Sequence, residues 1–354
     1  MKKILQDYSL DELKVQLEEL GVKMPRMRAE QLYRWANEYV SFSEMSNIPK
    51  DVIEILQKNY DEQPVQIYKQ FESKDGTKKY LFKLFDGNMI EGVLMKYKYG
   101  NTICVSTQVG CRMGCLFCAT GLDGMVRNLS AGEILGQVLA VNHTLGGTVS
   151  DRQITNIVLM GCGEPLDNFD NVVKFIELVS SSKGSINISQ RNISLSTCGI
   201  APKIKALADL NLGITLTISL HATTDEFRKQ IMKIANAYSL AELFEAITYY
   251  FNKTGRRVMF EYILLDQNTT VHDARRIKSL CKGLSYHFNL IPINATPNTK
   301  VNPLLKPASK IKAADFWQQL KENNISATTR RTLGEDISGA CGQLRRKVIK
   351  EGEE

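Results

Sequence analysis

From residue 102 onward the chain alternates short apolar runs with amphipathic segments, and this alternation restricts the fold more than any other feature. Strand candidates fall at 102–107, 154–160, 192–197, 214–220, 258–265 and 286–293, with helix candidates near 131–145, 169–181, 201–209, 239–252, 271–282 and 309–322. Strands joined through helices imply parallel pairing and right-handed crossovers. Six such units give an α/β fold, a partial (βα)6 barrel rather than the closed eight-unit form. Ligands in this architecture sit at the carboxyl ends of the strands, so the residues that follow each run matter most.

The first sixty residues read differently. Ser9-Leu10-Asp11-Glu12 resembles a capping box before the Leu13, Val15, Leu17, Leu20 set, and Ala29 to Val40 carries a second amphipathic pattern. From Val65 strand-like runs appear, 79–84 and 90–95, separated by the turn sequence Asp86-Gly87-Asn88. The expected organisation is an accessory domain over 1–95, helical and then a β-hairpin, a barrel with a C-terminal loop over 96–345, and a polar tail over 346–354. Lys23, Arg26, Arg28, Arg34 and Lys50 make the first domain a candidate RNA-docking element, with a merely solvated helical cap as the alternative. The basic Arg345-Arg346-Lys347 carries the same two readings.

Composition narrows the function class. At 354 residues, 43% hydrophobic and 23% charged, the chain has the make-up of a globular protein with room for a large core. No apolar run reaches the roughly 18 residues of a membrane helix, and no export signal opens the sequence, so a cytoplasmic protein without a membrane partner is expected. A formal charge of +7 permits anionic partners, nucleic acid among them. Eight cysteines are expected as thiols in that compartment, and four of them, Cys104, Cys111, Cys115 and Cys118, fall within fifteen residues.

Cys111-x3-Cys115-x2-Cys118 follows the first barrel strand. Three thiolates satisfy three irons of a four-iron cluster and leave the fourth open, whereas structural zinc wants a fourth protein ligand, here Cys104 or His143. The spacing resembles the signature of the radical S-adenosylmethionine superfamily, whose cluster binds that cofactor through its open iron. After the second strand, Gly161-Cys162-Gly163-Glu164-Pro165 fails the dinucleotide fingerprint because Leu166 stands where a third glycine belongs. Its glycines read either as a tight turn or, within that resemblance, as a close approach to the cofactor with Glu164 accepting from its ammonium group. Ser196, Ser219, His221 and Asn294 would each pass for ordinary polar residues, but all lie at strand ends.

Longer runs make the resemblance specific. Cys104 to Cys111, Cys118-Ala119-Thr120-Gly121, Met160 to Asp167, Ser219-Leu220-His221-Ala222, Asn289-Leu290-Ile291-Pro292 and Asp336 to Leu344 together resemble the RlmN/Cfr family of radical S-adenosylmethionine RNA methyltransferases, and most closely its RlmN branch. That resemblance implies methylation of carbon 2 of adenosine in 23S rRNA, in the peptidyl-transferase centre, and in tRNA. It assigns Cys111, Cys115 and Cys118 to a [4Fe-4S] cluster, and Glu164, Pro165, Ser196, Ser219, Leu220, His221 and Asn294 to S-adenosylmethionine. Cys341 would be the methylated cysteine, Cys104 its resolving thiol through a transient disulfide, and Glu91 the proton acceptor. Without the resemblance, Cys341 reads as a small residue in a mobile loop and Glu91 as a solvated strand charge.

The implied chemistry accounts for the two cysteines. Carbon 2 of adenine is electron-poor and cannot attack a methyl sulfonium, whereas a thiolate can, and Cys341 would store the methyl as a thioether. A second S-adenosylmethionine would supply the radical that activates this methyl, so two are used per turnover, with electrons from a donor such as flavodoxin or ferredoxin. A monomer is expected. Two departures from the family pattern stand out: Cys162 occupies a position commonly held by methionine, and Met232-Lys233-Ile234-Ala235-Asn236 replaces a segment that usually ends Pro-Ile-Asn. Two other readings compete: the sister branch acting at carbon 8 of the same rRNA adenosine, and a zinc-bearing RNA-binding protein without catalysis.

Overall fold

The structure, a computed structural model, describes residues 2–182 and 184–344; the polar tail and its basic run from Arg345 lie outside the described residues. The N-terminal segment folds as expected into helices, α1 (Leu10–Glu19), α2 (Pro25–Glu38) and α3 (Lys50–Asn59), tied by the short parallel pair β1 (Lys3–Ile4) and β2 (Tyr60–Asp61). Ser9 caps α1 reciprocally: its hydroxyl accepts from the Glu12 amide at 3.3 Å, and the Glu12 carboxylate accepts from the Ser9 amide at 2.8 Å. Leu13, Leu17, Leu32, Phe42, Val52 and Leu56 give this unit a core of its own.

A meander follows, β3 (Val65–Glu72), β4 (Lys78–Leu84) and β5 (Met89–Tyr97), which runs antiparallel into β6 (Gly100–Cys104). After β6, the hairpin of β7 (Gln108–Gly110) and β8 (Met125–Asn128) carries the three-cysteine loop, and α4 (Ala131–Thr144) begins the crossovers. Then come β9 (Ile154–Leu159), α5 (Phe169–Ser180), β10 (Ile193–Thr197), α6 (Ala201–Asp209), β11 (Thr215–Ser219), α7 (Asp225–Ile231) and α8 (Leu240–Thr254). The chain ends with β12 (Val258–Leu264), α9 (Val271–Leu280), β13 (Tyr286–Pro292), α10 (Lys310–Glu322) and β14 (Ala327–Thr329).

One sheet of ten strands results, in the order β14-β13-β12-β11-β10-β9-β6-β5-β4-β3, parallel from β6 to β14. Each crossover steps in one direction to the neighbouring position, which curls a sheet into a partial barrel. The six expected strands are present, extended by β14, whose three residues Ala327-Thr328-Thr329 are too short and too polar for a pattern to reveal. The meander strands continue this same sheet. Their faces divide cleanly. Tyr80, Phe82, Ile90 and Leu94 join the main core with the helices, whereas Val93, Met95 and Cys104 pack with Cys162 and Leu344 on the opposite side, under the C-terminal loop. No helix among the described residues is long and apolar enough to cross a membrane.

Candidate active site

The strand ends converge as the topology requires. Cys111, Cys115, Cys118, Gly161, Gly163, Glu164, Ser196, Ser219, His221, Asn294 and Cys341 line one cavity, with about 900 Å³ of atom-free space. The cysteine loop is moored at several points. Leu116 and Phe117 pack with Met232, Ile263 and Leu305, the Leu116 amide donates to the Ile231 carbonyl at 2.9 Å, and Arg112 Nε donates to Asp167 at 2.9 Å. Gly110 is obligatory at the loop's start: at φ +79°, a Cβ would stand 2.0 Å from the Gly124 carbonyl oxygen.

Gln108 links this loop to the next. Its Oε1 accepts from the Glu164 amide at 2.9 Å, while its Nε2 donates to Asp167 at 2.9 Å and to Asn128 at 2.8 Å. The glycines around Cys162 serve packing against the β6 exit. A Cβ on Gly161 would come 2.6 Å from the Val105 carbonyl oxygen, and one on Gly163 2.7 Å from Gln108 and Thr107 side-chain atoms. Ser106 locks the same junction, its hydroxyl donating to the Glu91 carbonyl at 2.6 Å and accepting from the Cys162 amide at 2.9 Å. Both backbone groups of Ser106 are held in turn by Gln137 at 2.9 Å.

The electrostatics suit a charged, metal-bearing ligand. Burial pushes the Cys111 thiol up to about 12 and that of Cys115 well above its ordinary value, so neither ionises readily without a metal. Arg228, fully buried, donates to the carbonyls of Cys198 at 2.7 Å and Leu220 at 3.2 Å, yet its Nη1 has no hydrogen-bond partner among the described residues. A buried cation near Cys115 with a donor to spare fits an anionic thiolate-bound cluster. Among the described residues no three His, Cys, Asp or Glu side chains, the cysteine trio included, stand together as a ready metal site; the fourth zinc ligands considered lie apart from the trio, Cys104 on a neighbouring cavity and His143 in a groove beside α2. Glu164 accepts from the amides of Cys198 at 2.7 Å and Leu166 at 3.0 Å; burial nonetheless raises its pKa, which favours a cationic partner in the cavity. His221 sits at φ +57°, its Nδ1 accepting from the Ile263 amide at 3.1 Å and its ring edge-on to Phe117.

Cys341 lies on the wall between this cavity and a second one, which it shares with Cys104, Val93, Tyr97, Met160, Arg330 and Arg331. Its carbonyl accepts from Asn294 Nδ2 at 2.9 Å. Burial pushes the Cys341 thiol up, and the Arg330 guanidinium opposes that shift. All eight cysteines, including Cys104 and Cys341, are free thiols.

Three expected residues stand off the cavity surface. Pro165 does not line it, and Leu220 packs in the main core, its amide donating to the Glu261 carbonyl at 3.1 Å and its carbonyl accepting from Arg228 at 3.2 Å. Glu91 lines neither cavity. It is 2% exposed, one pleat from Val93 on the same face of β5, and paired with Lys79 at 3.3 Å. Sequence reasoning missed Glu261, Arg228 and Arg330. Glu261 receives Arg330 Nη1 at 2.9 Å and the Ser196 hydroxyl at 3.3 Å, and a lone carboxylate inside the apolar Val258–Leu264 strand was the available signal. Arg228 and Arg330 gave none, since nothing local distinguishes them from surface arginines.

Comparison with known proteins agrees with this geometry. The radical SAM superfamily model matches residues 105–275. A probable dual-specificity RNA methyltransferase RlmN of Clostridium botulinum (strain Alaska E43 / Type E3) is 50% identical over 353 residues, covering 99% of this chain and 98% of the relative. One of the same description from Clostridium perfringens (strain SM101 / Type A) is 51% identical over 354 residues, with the same coverage. The crystal structure of a radical SAM methyltransferase from Sphaerobacter thermophilus superposes with a TM-score of 0.90 at 39% identity, covering 97% of this chain and 99% of that one. That family implies a four-iron cluster and S-adenosylmethionine, and the three thiols and the Glu164 carboxylate line the cavity at the strand ends. A three-thiol cavity at the strand ends of a partial barrel, matched to these relatives over nearly its full length, identifies the chain as a member of the RlmN family of radical S-adenosylmethionine RNA methyltransferases.

Proposed function

We propose that the protein methylates carbon 2 of adenosine in 23S rRNA and in tRNA, through a methylated Cys341 and a covalent RNA–protein intermediate. The observation that carries this reading is the position of Cys341 on a wall common to two cavities, one lined by the cluster cysteines and the other by Cys104. A single side chain so placed can collect a methyl group on one side and deliver it on the other. Cys111, Cys115 and Cys118 would hold the [4Fe-4S] cluster, with Glu164, Ser196, Ser219, His221 and Asn294 around S-adenosylmethionine and Pro165 and Leu220 behind them, off the cavity surface. When bound, these groups supply the methyl cation equivalent, an electron and a hydrogen-abstracting radical, which consumes two S-adenosylmethionine molecules per turnover.

The chain's own groups do the remainder. The Cys341 thiolate takes the methyl by displacement and holds it as a thioether until the methyl carbon is joined to the adenine ring. Glu91 accepts the ring proton, with Lys79 holding its carboxylate in place. The Cys104 thiolate then attacks the Cys341 sulfur; the carbon–sulfur bond to RNA breaks with its electron pair left on the carbon, which takes up a proton to become the methyl group, and a Cys104–Cys341 disulfide remains for an external two-electron reductant. Burial raises the Cys104 thiol well above its ordinary pKa, so a proton acceptor is needed at that step as well. Residues 1–95 would dock the RNA, and a flavodoxin or ferredoxin would return electrons.

Cys104→Ala tests the reading. The variant should accumulate RNA covalently bound through Cys341, visible as a nuclease-sensitive shift on a denaturing gel, and clean multiple turnover would refute the assignment. Locating the methyl on adenosine from the modified RNA separates carbon 2 from carbon 8.

A further inference from the structure

Lys96-Tyr97-Lys98-Tyr99 alternates cations with aromatic rings where β5 leaves the sheet and turns into β6. Tyr97 and Tyr99 stack face to face, with centroids 4.9 Å apart and planes 7° from parallel. Tyr97 lines the cavity that contains Cys104 and Cys341. Tyr99, stacked on Tyr97, is 69% exposed, more than any other aromatic residue among the described residues. Folding alone gives no reason to hold a second ring there, because it leaves most of a large apolar face in water.

The surroundings are basic. Lys98 is exposed in the turn between the two tyrosines and Arg331 is exposed on the rim of the same cavity, whereas Lys96, one residue before Tyr97 in β5, leaves the opposite face of the sheet. Arg330, nearer the thiols, is already engaged by Glu261 at 2.9 Å. An exposed flat ring stacked on a residue of the Cys104–Cys341 cavity, with Lys98 and Arg331 free of ion pairs among the described residues, matches the chemistry of an unpaired nucleotide: the base stacks and the phosphates sit on the cations. Tyr99 is outside the cavity lining, so the base it receives is a neighbour of the reacting one.

We propose that Tyr99, backed by Tyr97, is a stacking platform for an unpaired nucleobase adjoining the target adenosine, with Lys98 and Arg331 holding the adjacent phosphates. This rests on the reading that the Cys104–Cys341 cavity receives RNA. The test uses the full, anaerobically reconstituted chain and transcribed tRNA, with iron content and thermal midpoint as checks on the folded protein. Tyr99→Ala should weaken tRNA binding by about 5- to 150-fold, the span expected for losing one base–aromatic stack. Tyr99→Phe should bind within about twofold of the parent, since it keeps the ring. Lys98→Ala with Arg331→Ala should reduce the slope of log affinity against log salt by roughly 1.5, whereas Tyr99→Ala leaves it unchanged. An RNA with 2-aminopurine beside the target adenosine should lose fluorescence on the parent and keep it on Tyr99→Ala. Undiminished affinity in Tyr99→Ala overturns the platform while the parent still binds and methylates RNA. A parent that binds no tRNA overturns the underlying RNA reading instead, and the platform with it.

Discussion

His221 is neutral at physiological pH for a structural reason. Burial, with a smaller effect of Arg228, pushes its pKa down to about 3, and the unprotonated Nδ1 is needed to accept from the Ile263 amide. The unfolded chain binds a proton near pH 6.5 that the folded chain refuses, so this residue lowers stability progressively as pH falls from about 6.5 toward 3. Denaturant unfolding of the parent should therefore lose up to about 1 kcal/mol more than His221→Asn between pH 6 and pH 5. Parallel pH profiles would mean that His221 is protonated in the fold. At Cys115 the expectation concerns metal. Desolvation raises the Cys115 thiol well above its ordinary value, and loading requires its proton to leave, so Cys115→Ala should reconstitute with little iron and no visible absorbance while its far-ultraviolet circular dichroism is retained. Iron at the parent's level in that variant would remove Cys115 from the ligand set.

The C-terminal segment bearing Cys341 is clasped by the turn between β3 and β4. Asp75 accepts from the Gly334 amide at 2.9 Å, and Asp336 accepts from the Ser73 hydroxyl at 2.5 Å and the Lys74 amide at 3.2 Å. Beyond the clasp, Lys79 Nζ reaches the Ser338 carbonyl at 3.4 Å, and the Ala119 amide donates to the Gly342 carbonyl at 2.7 Å. Burial acts to raise the Asp75 pKa, but the Gly334 and Thr77 hydrogen bonds outweigh it and hold the group at about 2. A depressed carboxylate stabilises above its unfolded pKa, near 4, and loses that contribution as pH falls through about 2. Asp75→Ala should speed amide exchange across 333–344 at neutral pH by about an order of magnitude, and slow RNA methylation, with little change in exchange of the barrel strands. Unaltered exchange in that segment would show that the clasp does not hold it. The sequence alone places Cys341 in a mobile loop, whereas the structure hydrogen-bonds the segment on both sides of it. The anchoring turn is some 260 residues away in sequence, and no local pattern forecasts a pairing at that distance, whereas the capping box at Ser9 was legible because both partners lie within four residues.

At the scale of the molecule, the parallel strands could be read because each is a contiguous apolar run, and the site could be placed because the topology sends every run to the same mouth. What joins the helical N-terminal unit to the barrel had no such signal. Asp7 leaves the helical unit to accept from the Gly132 amide at 2.6 Å, in the first turn of α4, where the Ser130–Glu133 capping box leaves that donor free. Burial raises the Asp7 pKa against this hydrogen bond, so the contact is desolvated. Gly132 makes the approach possible: a Cβ there would meet the Asp7 amide nitrogen and Ile4 Cγ2 at 2.8 Å. These observations set two effects of Gly132→Ala against each other. Helix propensity alone favours alanine by about 1 kcal/mol, whereas the clash must displace backbone of the N-terminal unit, and tightly packed backbone yields only at a cost of about 1–3 kcal/mol. Displacement should win, lowering the thermal midpoint by a few degrees, with amide exchange rising selectively in Lys3–Asp7 and the first turn of α4. Asp7→Ala should produce the same local exchange pattern through loss of the added N-terminal acceptor. A higher midpoint for Gly132→Ala, with exchange at Asp7 unmoved, would show that propensity dominates and that the two units are not seated on each other at this contact.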